Sequence, residues 1–205
     1  AHHSQADSYR KLFDHFQPQL LVGLTATPER MDGKDLRPDF GNRISAEIRL
    51  PQALQAGLLT PFQYLCISDD TDLSDDSLWS GQKYNIERLA DKLCAKTRAR
   101  LIVDALHKYL ADEYTCRALC FCVNKRHADF MAEQLRLYGF NAQSLTSDTP
   151  TDERKQLAKD LREGTLHYLC VVDIFNEGVD IPEVDTVLFL RPTESLTIFL
   201  QQLGR

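Results

Sequence analysis

The run Arg117-Ala-Leu-Cys-Phe-Cys-Val123 decides the fold, because every residue after Arg117 is apolar and its length is that of a buried β-strand. A helical pattern follows over residues 127–138 and ends at Gly139. The alternation then continues with predicted strands at 141–145, 167–172 and 186–190 and predicted helices at 151–163 and 195–203. Strands that alternate with helices predict an α/β fold, a parallel sheet with helices on both faces. Ligands of such sheets bind at the carboxyl ends of the strands.

The pattern upstream of that run is less regular. A long helix is predicted over residues 85–113, with one break near 94–97. An aspartate-rich stretch before it, residues 69–80, is typical of a linker. The first 68 residues predict helices at 4–16 and 51–57 and strands at 20–24, 44–50 and 62–68.

Composition excludes several classes of protein. The chain has 205 residues, of which 43% are hydrophobic and 26% charged, so collagen, a coiled coil and wholesale disorder are excluded. No apolar run approaches the ~18 residues of a membrane-spanning helix, and we expect no membrane partner. The net charge of −6 arises mainly at residues 61–80, which hold five aspartates and no lysine or arginine. The remaining residues are nearly neutral in sum. They do not form the basic patch that is typical of nucleic-acid-binding proteins, but they would not repel a polyanion either.

The six cysteines predict a reducing environment. None forms a C-x-x-C pair, and several alternate within apolar strand patterns. Small buried side chains of a cytoplasmic protein explain them best, and a metal site is the lesser alternative. The N-terminus has neither an initiator methionine nor a signal-peptide pattern, so the chain resembles a piece of a longer protein.

Several short segments carry polar groups next to predicted strands or helices. They are Ala1-His2-His3, Thr25-Ala-Thr27, Asp173-Ile-Phe-Asn-Glu-Gly178-Val-Asp180-Ile-Pro182 and Gln201-Gln-Leu-Gly204-Arg205. Taken singly, each has an ordinary explanation: a purification-tag remnant, a Thr/Pro turn, a loop at the sheet edge and a polar helix end. Their chemistry becomes specific only in combination.

In this order and spacing the segments resemble the superfamily 2 helicases and translocases, over nearly the whole chain. Ala1-His2 resembles the end of the Asp-Glu-Ala-His box, which is motif II. The other resemblances, in chain order, are those of Thr25-Ala-Thr27 to motif III, residues 118–124 to motif IV, residues 173–180 to motif V and Gln201-x-x-Gly204-Arg205 to the start of motif VI. Two segments resemble restriction-type and repair-type DNA motors in sequence more than DEAD-box proteins dedicated to RNA. They are residues 176–182 and the short connector at 50–58.

The sequence also departs from the family pattern. The phosphate loop Gly-x-x-x-x-Gly-Lys-Ser/Thr is not in the chain, because Gly33-Lys34 is followed by Asp35, and the metal-binding acids of motif II are not there either. Val172 stands where many relatives have threonine. The resemblance therefore implies three segments: 1–68, the C-terminal part of a first RecA-like domain; 69–81, an acidic linker; and 82–205, a second RecA-like domain truncated in motif VI. We expect the strand at 20–24 to expose an unpaired edge.

The resemblance implies ATP and Mg²⁺ as cofactors of the intact protein, with neither expected to bind this chain and no hydrolysis by it. Arg205 would be the arginine finger and Gln201 would lie near the γ-phosphate, in a cleft between two RecA-like domains. Asp180 would hydrogen-bond the ribose or help to hold the closed interface. Further residues expected at or coupled to the nucleotide are His2, Thr25, Thr27, Gly178 and Gly204.

Nucleic acid would lie across the carboxyl ends of the strands in the second RecA-like domain. The residues expected to contact it are Asn124, Lys125, Arg126, Thr146, Ser147, Asp173 and Ile174. Backbone N–H groups and short polar side chains there suit phosphates without reading bases. For Lys125 and Arg126 the alternative is a solvated helix start. We expect DNA in preference to RNA.

Two other classes of function remain open from the sequence. A non-motor module for nucleic-acid binding or damage recognition could use the same fold. An unrelated doubly wound domain could bind a small phosphate ligand. The motor interpretation requires the phosphate-loop half of the same polypeptide as a partner.

Overall fold

The structure is a computed structural model that describes Ser4 and residues 6–25, 36–81, 83–172 and 181–192. Contacts within the chain divide these described residues into two compact units, one up to Cys66 and the other from Ile67 onward. The two units are described separately below.

The described residues of the first unit form short helices, and the rest of them lie in turns or lack regular secondary structure. Its elements are α1, Asp7–Phe16; a single 3₁₀ turn, Arg37–Phe40; and α2, Leu50–Gln55. The carboxylate of Asp39 accepts a 2.7 Å hydrogen bond from the hydroxyl of Ser4 and forms a 2.7 Å ion pair with Arg10. These contacts connect the start of α1 to the 3₁₀ turn.

The strands predicted at 20–24, 44–50 and 62–68 are not formed, and this part of the prediction is wrong. Leu20, Val22 and Leu24 are 79%, 69% and 85% exposed, although their pattern is that of a buried strand. A strand requires a neighbour that pairs with its backbone, and no described residue up to Cys66 belongs to a strand. Apolar side chains are exposed here, as expected for a segment that has no sheet to join.

The second unit contains an alternating series of strands and helices. Its elements are β1, Trp79–Ser80; β2, Lys83–Tyr84; α3, Ile86–Leu93; α4, Lys96–Tyr109; β3, Ala118–Phe121; α5, Lys125–Leu137; β4, Ala142–Leu145; α6, Thr151–Glu163; β5, Tyr168–Val171; and β6, Thr186–Phe189. β1 and β2 form an antiparallel hairpin in which the rings of Trp79 and Tyr84 stack with centroids 4.1 Å apart. The alternation predicted after residue 117 is confirmed as far as residue 189.

β3 to β6 form one parallel sheet with the order β4-β5-β3-β6. Cys120 in the central strand β3 lies opposite Cys170 on one side and Leu188 on the other. The two central strands, β3 and β5, consist mostly of apolar residues, because both faces of these strands are covered. The predicted α/β fold with a parallel sheet is therefore confirmed.

Alternate residues of the central strands pack on opposite faces of the sheet. Cys120 and Cys170 pack with Val103 of α4 and Met131 of α5. The other face of the sheet carries Leu119, Phe121, Leu169 and Val171, which cluster with Leu145 and with Leu161 of α6. Helices on both faces follow directly from this period-two pattern. All six cysteines are free thiols.

The break predicted in the long helix is also confirmed. α3 ends at Leu93 and α4 begins at Lys96, while Leu110 adopts an extended conformation and ends α4 earlier than the sequence predicted. Leu89 and Leu93 of α3 cluster with Val123, which follows β3. The break thus lets α3 contact the end of the central strand.

The aspartate-rich segment folds into local turns. Asp69, Asp72 and Asp75 each accept a hydrogen bond from the backbone N–H two residues later, at 2.8–2.9 Å. Asp69 also accepts a 2.8 Å bond from the guanidinium of Arg98 in α4. Much of the acidic excess in the sequence is therefore used to shape this connection.

Candidate nucleic-acid interface

The strands of the sheet bring their carboxyl ends to one edge, because all four run in the same direction. β3 leads into Asn124, β4 into Thr146, and β6 into Leu190. β5 leads into Val172, which is followed by residues outside the described part of the chain. Five of the seven residues expected to contact nucleic acid are described, and all five lie at this edge.

Asn124 begins α5 and fixes the turn between strand and helix. Its side-chain oxygen accepts a 3.0 Å hydrogen bond from the backbone N–H of His127, the usual role of an asparagine N-cap. Its side-chain amide donates a 3.0 Å bond to the carboxylate of Glu87 in α3. Asn124 is therefore held on both sides, and the amino terminus of a 13-residue helix is directed toward the edge.

Lys125 and Arg126 follow the cap and are paired with carboxylates from other elements. The ammonium nitrogen of Lys125 lies 2.6 Å from Asp148, in the loop after β4. The guanidinium of Arg126 lies 2.6 Å from Asp91 of α3 and donates a 3.2 Å bond to the backbone carbonyl of Glu87. The hydrogen bond to Asp91 raises the pKa of Arg126. Each cation remains about half exposed to solvent.

The loop after β4 is held by a network of hydrogen bonds. The backbone N–H of Thr146 donates to the hydroxyl of Thr149 at 3.0 Å, and the hydroxyl of Thr146 accepts from the N–H of Asp148 at 3.3 Å. Arg154 of α6 donates to the carbonyls of Ser147 and Thr149 at 2.6 and 2.7 Å. Thr146 is buried, so its hydroxyl serves the loop, whereas Ser147 is exposed.

Two residues at this edge were not predicted as part of the site. Arg154 fixes the loop through its guanidinium, and His127 lies fully buried behind the cap, where its Nδ1 accepts a 3.2 Å bond from the N–H of Val123. Burial lowers the pKa of His127 to about 4, and the charges of Arg98 and Arg126 contribute to this shift. His127 is therefore neutral at pH 7. Neither residue belongs to a motif, so no sequence signal distinguished them.

Most residues predicted to bind nucleotide lie outside the described part of the chain. These are His2, Gly178, Asp180, Gln201, Gly204 and Arg205, together with Thr27 and with Asp173 and Ile174 of the nucleic-acid set. Thr25 is described and exposed, and it belongs to the first unit. Their predicted roles stay predictions.

The residues at hand do not fit a complete ATP and Mg²⁺ site. The sequence has no phosphate-loop motif. Among the described residues, no three His, Cys, Asp or Glu side chains converge closely enough to hold a metal ion. Among the described helices, none has both the length and the apolar character of a membrane-spanning helix.

The arrangement suits phosphate groups. A helix amino terminus, two half-exposed cations and the exposed Ser147 lie along one edge, and each is a known type of phosphate contact. Contacts of these kinds to phosphate position a nucleic acid and carry no direct information on its bases. The geometry therefore favours sequence-independent contacts to a nucleic-acid backbone.

Comparison with family models gives two matches. Residues 71–205 match the helicase conserved C-terminal domain, and residues 1–30 match the type III restriction enzyme, res subunit. The first match covers about two thirds of the chain and includes every described strand.

Comparison with individual proteins gives distant relatives. A "51.5 kDa protein" of Lactococcus phage (isolate 7-9) is 28% identical over 98% of this chain, and Saccharomyces cerevisiae "Putative ATP-dependent helicase IRC3" is 28% identical over 100%. The chain spans 43% and 30% of their respective lengths. Among solved structures, S. cerevisiae Dbp5 bound to RNA and ADP BeF3 is 22% identical, with a TM-score of 0.45 over 55% of this chain and 29% of that one.

Proposed function

The chain belongs to the family of helicase conserved C-terminal domains, and from that membership we propose that it is part of an ATP-dependent nucleic-acid helicase or translocase. In this proposal the intact protein couples ATP hydrolysis to movement on a nucleic acid or to unwinding of it. The second unit contributes the surface that holds the nucleic-acid backbone.

One observation carries the nucleic-acid part of the proposal. The 2.6 Å contact between Lys125 and Asp148 connects the segments that follow β3 and β4, and this supports contact residues on both segments acting together. Asn124 and Arg126 belong to the same helix start. A phosphate chain lying along the edge would meet these groups in succession.

We propose DNA as the substrate in preference to RNA. One support is the sequence of residues 176–182 and 50–58, which resembles that of restriction-type and repair-type motors. Another is the match of residues 1–30 to the model of the type III restriction enzyme, res subunit. Competition between DNA and RNA oligonucleotides of one sequence tests this choice. Tighter binding of the RNA would contradict it.

We propose that ATP and Mg²⁺ are held jointly with the phosphate-loop half of the same polypeptide. When bound, ATP would supply the phosphoryl group that passes to water, and Mg²⁺ would supply positive charge that neutralises the phosphate oxygens. Arg205 and Gln201 are proposed as this chain's contribution near the γ-phosphate, with Asp180, Gly178, Gly204 and His2 at the nucleotide and Thr25 and Thr27 coupling the two activities. The 205-residue chain alone should then show no hydrolysis, and a cytoplasmic location is part of the same proposal.

The test compares two single substitutions in the intact protein. Arg205→Ala should lower nucleic-acid-stimulated ATPase by about 10³-fold or more while leaving nucleic-acid affinity nearly unchanged, because an arginine finger acts mainly in the transition state. Arg205→Lys should rescue only part of the rate, since the planar fork is lost. Lys125→Ala should weaken binding and leave turnover near normal at saturating nucleic acid. Loss of binding by Arg205→Ala, or of turnover by Lys125→Ala at saturation, would contradict the proposal.

A further inference from the structure

We propose that Glu87, Asp91 and Asp148 act as internal competitors of phosphate at the candidate interface. In the chain without nucleic acid they bind the same groups that would contact the nucleic-acid backbone. Nucleic acid must displace them, so the three carboxylates set the affinity of this edge. This inference rests on the proposed function, because it requires that phosphates bind there.

The pairing is one to one. Glu87 accepts from the amide of Asn124 at 3.0 Å, Asp148 lies 2.6 Å from the ammonium of Lys125, and Asp91 lies 2.6 Å from the guanidinium of Arg126. Three consecutive residues at the start of α5 thus each contact a different carboxylate. A carboxylate and a phosphate present the same kind of acceptor oxygen to these donors.

The carboxylates come from elements outside α5. Glu87 and Asp91 lie one turn apart on α3, and Asp148 lies in the loop after β4. Elsewhere in the second unit, Arg100 with Asp104 and Lys159 with Glu163 each lie four residues apart on one helix. Arg162 of α6 also contacts Glu183 before β6, but as a single pair. Convergence of acids from two elements on one helix start is therefore a property of this edge.

The pairs are weak enough to be displaced. The side chains of Lys125 and Asp148 are 49% and 75% exposed, and those of Arg126 and Asp91 are 51% and 64% exposed. Exposed ion pairs of this kind alter an equilibrium constant by up to about fivefold. A backbone phosphate can therefore replace each carboxylate at small cost.

Competition of this kind favours release as well as selectivity. A single phosphate that displaces one carboxylate gains little, whereas a chain of phosphates replaces all three together. When the nucleic acid leaves, the carboxylates bind the cations again and help to complete dissociation.

The first test neutralises the carboxylates one at a time in the 205-residue chain. Asp148→Asn and Asp91→Asn should each tighten binding of a fluorescein-labelled oligothymidylate about two- to fivefold at low salt, mainly through slower dissociation. The gain should shrink at high salt, because salt screens both the ion pair and the phosphate contact. Thermal melting confirms that each variant is folded.

Glu163→Gln is the matched control. It removes one negative charge from an equally exposed ion pair at the carboxyl end of α6, away from the edge where α6 begins. Its affinity should stay close to that of the parent chain. If Asp148→Asn and Asp91→Asn bind no more tightly than Glu163→Gln, the inference is wrong, even when Lys125→Ala shows that the edge binds nucleic acid.

A double-mutant cycle separates competition from a general electrostatic effect. In a Lys125→Ala background, Asp148→Asn should no longer improve binding, because the cation for which Asp148 competes has been removed. An equal gain in both backgrounds would mean that Asp148 acts only through net charge, and would overturn the inference. If Lys125→Ala binds as tightly as the parent chain, the proposed function fails at this edge and the inference fails with it.

Discussion

The hydroxyl of Tyr168 donates a 2.6 Å hydrogen bond to the backbone carbonyl of Glu113. Tyr168 begins the central strand β5 and is fully buried, while Glu113 lies in the turn that follows α4. The ring of Phe140 packs edge-on against Tyr168 with centroids 5.1 Å apart. One side chain therefore connects the sheet to the connection between α4 and β3, and burial raises the pKa of its phenol.

Tyr168→Phe should lower the free energy of unfolding by about 1 kcal/mol or more, because it removes this hydrogen bond and leaves a carbonyl poorly satisfied. Urea unfolding followed by the fluorescence of Trp79, the single tryptophan, measures the unit that contains it. Tyr138→Phe is the control, since Tyr138 is 41% exposed. Equal stability of the two variants would contradict the assignment.

His127 should make the second unit lose stability in mild acid. Its pKa is about 4 in the folded chain and about 6.5 when unfolded, so the unfolded state binds the extra proton as the pH falls through that window. Above pH 6.5 the protonation of His127 takes nothing from the free energy of unfolding. As the pH falls toward and through 4, the free energy of unfolding decreases, and the decrease approaches about 3 kcal/mol. Urea unfolding at a series of pH values measures it.

The matched variant for this effect is His127→Gln, whose side-chain oxygen can still accept the N–H of Val123 but which does not titrate. Its unfolding free energy should depend less on pH between 6.5 and 4 than that of the parent chain. Parallel pH profiles for the two proteins would show that His127 is not the group responsible.

Asn124→Ala should destabilise α5 by about 1 kcal/mol, the usual cost of losing an asparagine N-cap. Asn124→Ser should recover most of this loss, because a hydroxyl can also accept the N–H of His127. Chemical denaturation of both variants gives the comparison. A serine variant as unstable as the alanine variant would mean that the bond to Glu87, rather than the cap, holds the turn.

The second unit could be predicted because its sequence signals are local. β3 and α6 are unambiguous from an apolar run and from a helical period ended by Gly164. The strand expected at 20–24 was not formed, because strand formation depends on a pairing partner that a local pattern cannot supply. Long-range pairing, rather than propensity, separates the two cases.

The candidate site was predictable in position but not in pairing. Asn124, Lys125 and Arg126 follow an apolar strand, so their place at the sheet edge follows from the parallel topology. Asp148 and Asp91 lie 23 and 35 positions from the cations that they bind, and no local pattern connects such partners. The residues that hold the interface in its present state therefore emerge only from the three-dimensional arrangement.

The central claim is that the carboxyl edge of the sheet binds the nucleic-acid backbone. The most direct measurement is the salt dependence of oligothymidylate binding by two charge-matched double variants of the 205-residue chain. Lys125→Ala with Arg126→Ala removes both cations at the edge. Lys159→Ala with Arg162→Ala removes two cations of the last turns of α6.

The edge variant should bind more weakly than the parent chain. Its plot of log affinity against log salt should be shallower by about 1.4, because each phosphate of a single strand that a cation neutralises adds ~0.7 to the slope. The α6 variant should keep nearly the slope of the parent chain. Equal slopes and equal affinities for the two double variants would contradict the claim that this edge is the nucleic-acid interface.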